Sequence, residues 1–325
     1  MKALFTLFIL FSVGTHSDSN LDQAISLYEM GRFKQAADLL TQLSRTYPSD
    51  PQIRLWLGKS YLKLHNWDAA VSELEKAVNL DSSNAVYHLW LGHACGMRAS
   101  HSSFFTAMRW ARRVAKEFET ASNLAPENLD IRFDLLEFYI SAPGIVGGGR
   151  EKAEAQAREI SRLSPRKGYV ARAMIYEKQK RWDLAQKELT EATVRYPEDA
   201  DAHKDLANFL LARGDYEGAS AYARRALALD QASKKAKLIL AVSYIRGQSD
   251  LTEAYKILQE LAAGPLRDED PTFEEIYSWL GEYYIRLGDK IKALEAFQSA
   301  LVFNPKYEPA RAKIAQLNRQ DLKNH

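Results

Sequence analysis

The chain has almost none of the covalent or electrostatic features that would narrow its class directly. It carries one cysteine, Cys95, so no intrachain disulfide can form and the fold must rest on packing alone. Its 44 basic and 42 acidic residues nearly cancel, leaving a net charge of +2. No global basic field therefore favours a nucleic-acid partner. No Asn-x-Ser/Thr site is present. Only one long uncharged apolar run occurs, Ala3 to Val13, behind the single positive charge of Lys2. It is shorter than the ~20 residues of a comfortable membrane span. With Gly14 to Ser17 after it, residues 1–17 read as a secretory signal peptide cleaved near Gly14–Ser17. The expected location is therefore outside the cytoplasm, periplasmic or secreted. The missing glycosylation signal favours a bacterial envelope.

What the chain does have is a pattern that returns about every 34 residues. Leu280, Gly281 and Tyr284 are followed by Gly288, Ala293, Phe297, Ala300 and Pro305. The same skeleton appears as Leu57, Gly58, Tyr61, Trp67, Ala70, Leu74 and Ala77, and again as Leu206, Ala207, Leu210, Gly214, Tyr216, Ala219, Ala223 and Ala226. Each unit reads as two amphipathic helices. The small residues carry the geometry: Gly58, Gly92, Ala173, Ala207, Ala241 and Gly281 lie mid-way along first helices, where a large side chain would hold the second helix away. Gly31, Gly214 and Gly288 fit the turn between helices, where a positive φ is easiest for glycine. Such a period predicts a stacked array rather than one globular core.

This skeleton resembles the tetratricopeptide repeat (TPR) family over almost the whole chain, in an exported bacterial form. The expected fold is all-α: a right-handed superhelical solenoid of about eight helix-turn-helix units with a C-terminal capping helix. The register gives units 17–50, 51–84, 85–128, 129–165, 166–199, 200–233, 234–270 and 274–307, a cap over 308–321 (Ala310, Ile314, Leu317) and a tail at 322–325. Unit three carries roughly ten extra residues between Cys95 and Trp110. Unit four carries about five, in the glycine-rich run from Ala142 to Gly149. A polar break runs from Gly264 to Pro271.

The search for chemistry returns little. Gly147, Gly148, Gly149 and Arg150 open the second helix of unit four and offer an anion or loop site. They lack the Gly-Lys-Ser/Thr ending of a nucleotide loop and follow a helix, not a strand. His88 and His93 are five apart, off the three-or-four spacing of a helical zinc pair. No catalytic, cofactor-binding or metal site is expected. Arg109, Arg112, Arg113 and Lys116 share one stripe of a second helix, with Phe104, Phe105 and Met108 before it. That stripe offers a contact for anionic lipid headgroups or an acidic partner.

The resemblance implies that first helices line a concave groove that takes a peptide or helix of another protein. In this register the groove candidates are Leu55, Lys59, Leu62, Leu89, His93, Phe133, Glu137, Lys204 and Asn208. Lys204 and Asn208 match the first pair of the carboxylate clamp that some members use on chaperone tails. Ile239 and Trp279 stand where that clamp needs Asn and Arg, so it is incomplete. The expectation is a non-catalytic interaction scaffold. The alternative is an assembly chaperone or accessory factor for an envelope complex such as a pilus, secretion or polysaccharide-export apparatus.

Overall fold

Helix starts are written into the sequence as short polar residues. In the computed structural model, which describes residues 14–321, side chains of Asp50, Asn84, Asn128, Asp199, Ser233 and Thr272 accept hydrogen bonds from backbone amides at first-helix starts. Asn66, Asp215, Asp250 and Asp289 do the same at second-helix starts. Each such cap contributes about 1 kcal/mol.

These signals delimit eight helix pairs and a final helix. The pairs are α1 (Gly14–Glu29) with α2 (Phe33–Thr46), α3 (Pro51–Lys63) with α4 (Trp67–Leu80), α5 (Ala85–Ser100) with α6 (Phe104–Leu124), and α7 (Leu129–Ser141) with α8 (Arg150–Leu163). They continue as α9 (Pro165–Lys178) with α10 (Trp182–Arg195), α11 (Ala200–Arg213) with α12 (Tyr216–Leu229), α13 (Lys234–Gly247) with α14 (Leu251–Ala263), and α15 (Phe273–Arg286) with α16 (Lys290–Phe303). The last is α17 (Glu308–Asp321). No strand occurs among the described residues. The all-α repeat solenoid expected from the periodicity is the observed fold. Most of the expected leader, 1–13, and the tail, 322–325, lie outside the described residues, whereas Gly14 to Ser17 begin α1.

The small positions act as the periodicity requires. A Cβ on Gly58 would sit 2.5 Å from Leu74 Cγ, one on Gly92 2.3 Å from Phe118 Cε1, and one on Gly281 2.6 Å from Phe297 Cε1. Each glycine thus receives the large residue of its partner helix. Gly31, Gly214 and Gly288 take φ of 72°, 83° and 75° in the inter-helix turns. His65, Lys180 and Gln248 occupy the same turns in other units with φ of 57°, 58° and 52°. On the C-terminal helix, Ala310 and Leu317 are buried and Ile314 half-buried against Ala293, Phe297 and Ala300.

The extra residues of unit three are not a loop. They lengthen both helices, so that α6 runs for 21 residues and starts at Phe104. Phe104 and Phe105, expected in an insertion ahead of the helix, form its first turn. In unit four the glycine run makes a short 3-10 turn, Gly144–Val146, before α8.

The two ends of the array meet. The amide of Leu266 donates to the carbonyl of Glu29 at 2.7 Å. The turn after α1 packs on α15 and α16: a Cβ at Gly31 would lie 2.7 Å from Phe303 and 2.9 Å from Phe273, whose rings stack at 4.7 Å. The array therefore closes on itself, and its inner face becomes the wall of a cavity.

Candidate interaction cavity

The closure is held by the polar break between α14 and α15. Asp268 lies in it, and its carboxylate accepts from the Tyr28 hydroxyl at 2.7 Å and pairs with Lys59 Nζ at 2.6 Å. The Lys59 ammonium is enclosed by aromatic rings, 3.4 Å from the Trp56 centroid, 4.6 Å from Trp90 and 5.3 Å from Tyr28. Rings around a desolvated cation are attractive. Burial pushes the Lys59 ammonium below its usual range, while Asp268 pulls it back up. Burial, then Asp268, holds the Tyr28 phenol well above its own.

Inside the closed array lies a cavity of about 1000 Å³. One part of its wall is apolar and aromatic, with Leu62, Leu89, Trp90, Met97, Phe133 and Val170. Charges of both signs also line the cavity, Arg166, Lys167, Asp201, Lys204, Asp205, Lys235, Glu269 and Glu274 among them, with Phe33, Trp67 and Phe303 adding further rings. Arg166 organises the acidic side: it stands 3.3 Å from Asp199, 3.3 Å from Asp201 and 2.8 Å from Asp205. Lys204 pairs with Asp201. Burial raises the Asp205 carboxyl to about 6, against the downward pull of Lys204 and Arg166. His93 Nε2 on α5 lies 3.2 Å from Asp134 on α7, the next first helix.

Of the groove candidates, Leu62, Leu89, His93, Phe133 and Lys204 line this cavity. Asn208 is exposed and lines a neighbouring cleft of about 440 Å³ with Lys204, Leu238, Ile239 and Trp279. Leu55 is buried in the core with Leu74, Tyr87 and Leu91, because successive first helices pack through that face. Lys59 is buried too, as the closing ion pair rather than a free contact. Glu137 is exposed and is not among the cavity-lining residues, although Phe133, one helical turn earlier, is. Arg166, Asp205, Glu269 and Glu274 escaped the sequence reading. Their only signal there was position on first helices, at Arg166 and Asp205, or within or just after the polar break.

The amides of Gly147, Gly148 and Gly149 donate to the carbonyls of Gly144, Pro143 and Tyr139. Those three amides are therefore occupied, while α8 begins at Arg150 without a side-chain cap. A Cβ on Gly148 would fall 1.9 Å from the Ala142 carbonyl oxygen, so the residue is glycine for space. Arg150 pairs with Glu154 at 2.6 Å on the surface. Among the described residues, no group of three or more His, Cys, Asp or Glu could hold a metal ion. His88 instead meets Glu117 at 2.6 Å in a buried network completed by Arg113. Arg113 therefore turns away from the basic stripe, toward Glu117 and Glu75. Cys95 is fully buried, and burial pushes its thiol up to about 12.

An all-α stack of helix pairs, small residues at the crossings and a walled concave face define a helical-repeat solenoid. Tetratricopeptide repeat models match residues 21–94 and 170–236, and a further one matches 274–307. The chain belongs to the tetratricopeptide repeat family. No curated protein sequence matches it. Among solved structures, it is similar to yeast Tom70, with a TM-score of 0.63 at 15% identity over 100% of this chain and 68% of that one. It is also similar to the human IFIT1 dimer solved with m7Gppp-AAAA, with a TM-score of 0.53 at 16% identity over 93% and 73%. At these identities the likeness is one of fold.

Proposed function

We propose that the chain is a non-catalytic scaffold that captures a peptide or helix of a partner protein inside the closed array, in the cell envelope. The observation that carries this reading is the cavity itself. Its apolar wall supplies burial for one or two large side chains, and its two-signed charged wall fixes register and direction. Membership of a family whose arrays serve as protein-interaction scaffolds supports it. The apolar run at residues 3–13 supports the envelope location.

Selection of a peptide library on the immobilised protein tests this. Enriched peptides should pair an apolar anchor with charged neighbours. They should lose binding to Phe133→Asp and Lys204→Glu but keep it with Val194→Asp, on the exposed outside. Peptides indifferent to the first two substitutions would contradict the reading. Selection of many unrelated sequences with short residence times would shift it to a transient assembly factor for an envelope complex, the alternative use of the same cavity.

A further inference from the structure

The outside of α6 carries a feature that the cavity does not use. Phe104 and Phe105 open the helix with 72% and 84% of their surface exposed, and they stack edge-on against each other at 5.5 Å. Arg109, Arg112 and Lys116 continue from Phe105 at helical spacing and are all exposed. No carboxylate pairs with them among the described residues, in contrast to Arg113 on the neighbouring face. Beside the last two stands Ile145, 70% exposed, lining an open cleft of about 540 Å³ with Arg112 and Lys116. The one carboxylate there, Glu119, is already held by Lys152 at 3.1 Å and by the Tyr139 hydroxyl at 2.9 Å.

We infer that this face of α6 docks on an anionic phospholipid surface, with Phe104 and Phe105 entering the interface and Arg109, Arg112 and Lys116 on the headgroup phosphates. Two features favour a bilayer over an acidic protein. The rings stand proud at the helix start instead of lining a cleft, which suits insertion into a deformable interface. The cations follow behind them on the same face of the helix, so α6 lying along the surface brings the rings and the cations to one interface together. Each cation near an anionic surface strengthens binding several-fold, in a salt-dependent way. Because α6 is a second helix, docking through it leaves the cavity open.

The test is co-sedimentation of the full chain with phosphatidylcholine vesicles, with and without phosphatidylglycerol, at low and high salt. All forms keep residues 1–17, so any affinity of that run is common to them. The expected result is a preference for the anionic vesicles that falls with salt. Partitioning should drop at least tenfold in Phe104→Ser/Phe105→Ser and in Arg109→Ala/Arg112→Ala/Lys116→Ala, with unchanged circular dichroism. As an independent readout, a polarity-sensitive dye on Phe105→Cys should shift to the blue on anionic vesicles; buried Cys95 does not compete for label. Unchanged partitioning in both variants, or no dye shift, would overturn the inference. So would variants that bind vesicles normally but lose affinity for polyglutamate, which would make the stripe a protein contact.

Discussion

The Tyr28 hydroxyl donates a 2.7 Å hydrogen bond to the carboxylate of Asp268, 240 residues further along the chain. Lys59 completes the contact from α3. A helical-repeat array is held mainly by nearest-neighbour interfaces. A bond of this span joins its two ends, so that the inner face lines a cavity still open to solvent. Removing Asp268 leaves the buried Lys59 ammonium without its partner, although the Asp268 side chain itself keeps 27% of its surface exposed. Asp268→Asn should therefore cost about 1–3 kcal/mol and speed amide exchange across residues 264–272. Adding Lys59→Met should recover most of that loss, since an apolar side chain suits the Trp56–Trp90 slot. Thermal melts and hydrogen exchange of the three forms check this.

Gly31, Gly214 and Gly288 share a left-handed backbone, but only Gly31 touches the far end of the array. A Cβ at Gly214 has its nearest neighbour at 3.9 Å, and one at Gly288 has none within 4 Å. Alanine at those two should cost about 1 kcal/mol from the backbone alone. Gly31→Ala should cost more, by about 1–3 kcal/mol, because the stacked rings of Phe273 and Phe303 must separate. Denaturant titration of the three variants reads the difference directly.

The raised Asp205 carboxyl makes stability depend on pH with a defined sign. The folded chain keeps this proton up to about pH 6, whereas an unfolded carboxyl releases it near its ordinary value of about 4. The stabilising contribution is present in acid and is lost as pH rises through that window. Relative to Asp205→Asn, the native chain should gain about 1 kcal/mol on going from about pH 7 to about pH 5. Melts of both forms across that range check it.

Glu117 is 2% exposed and is shared by His88 and Arg113. Glu117→Ala should destabilise by about 3 kcal/mol, while Cys95 stays inert to thiol reagents in the native chain. Dithionitrobenzoate should react with Cys95 only as the protein unfolds, and earlier in denaturant for Glu117→Ala.

Much of this fold is legible in the sequence because its rules are local. The meeting of Gly58 with Leu74 and of Gly281 with Phe297 follows from one spacing, and the same spacing plus the ten-residue insertion gives Gly92 with Phe118. The closure was not legible. Nothing near Asp268 in sequence distinguishes it from its acidic neighbours, and its partners come from α1 and α3. That same contact is why Lys59, which the family resemblance puts on the groove side, is buried rather than free. Helical spacing also put Leu55 and Lys59 on one face without revealing that neighbouring first helices cover the former. Periodicity places Phe104 and Phe105 in an insertion because it does not tell a lengthened helix from a loop.

The most direct measurement places a photo-crosslinking amino acid at Phe133, inside the cavity, and separately at Val194, on the outside, in the full chain within its source cells. The expected result is a discrete adduct from position 133, absent at 194 and lost when Lys204→Glu is added. Equal adducts from both positions, or an adduct at 194 alone, would contradict capture of a partner inside the closed array.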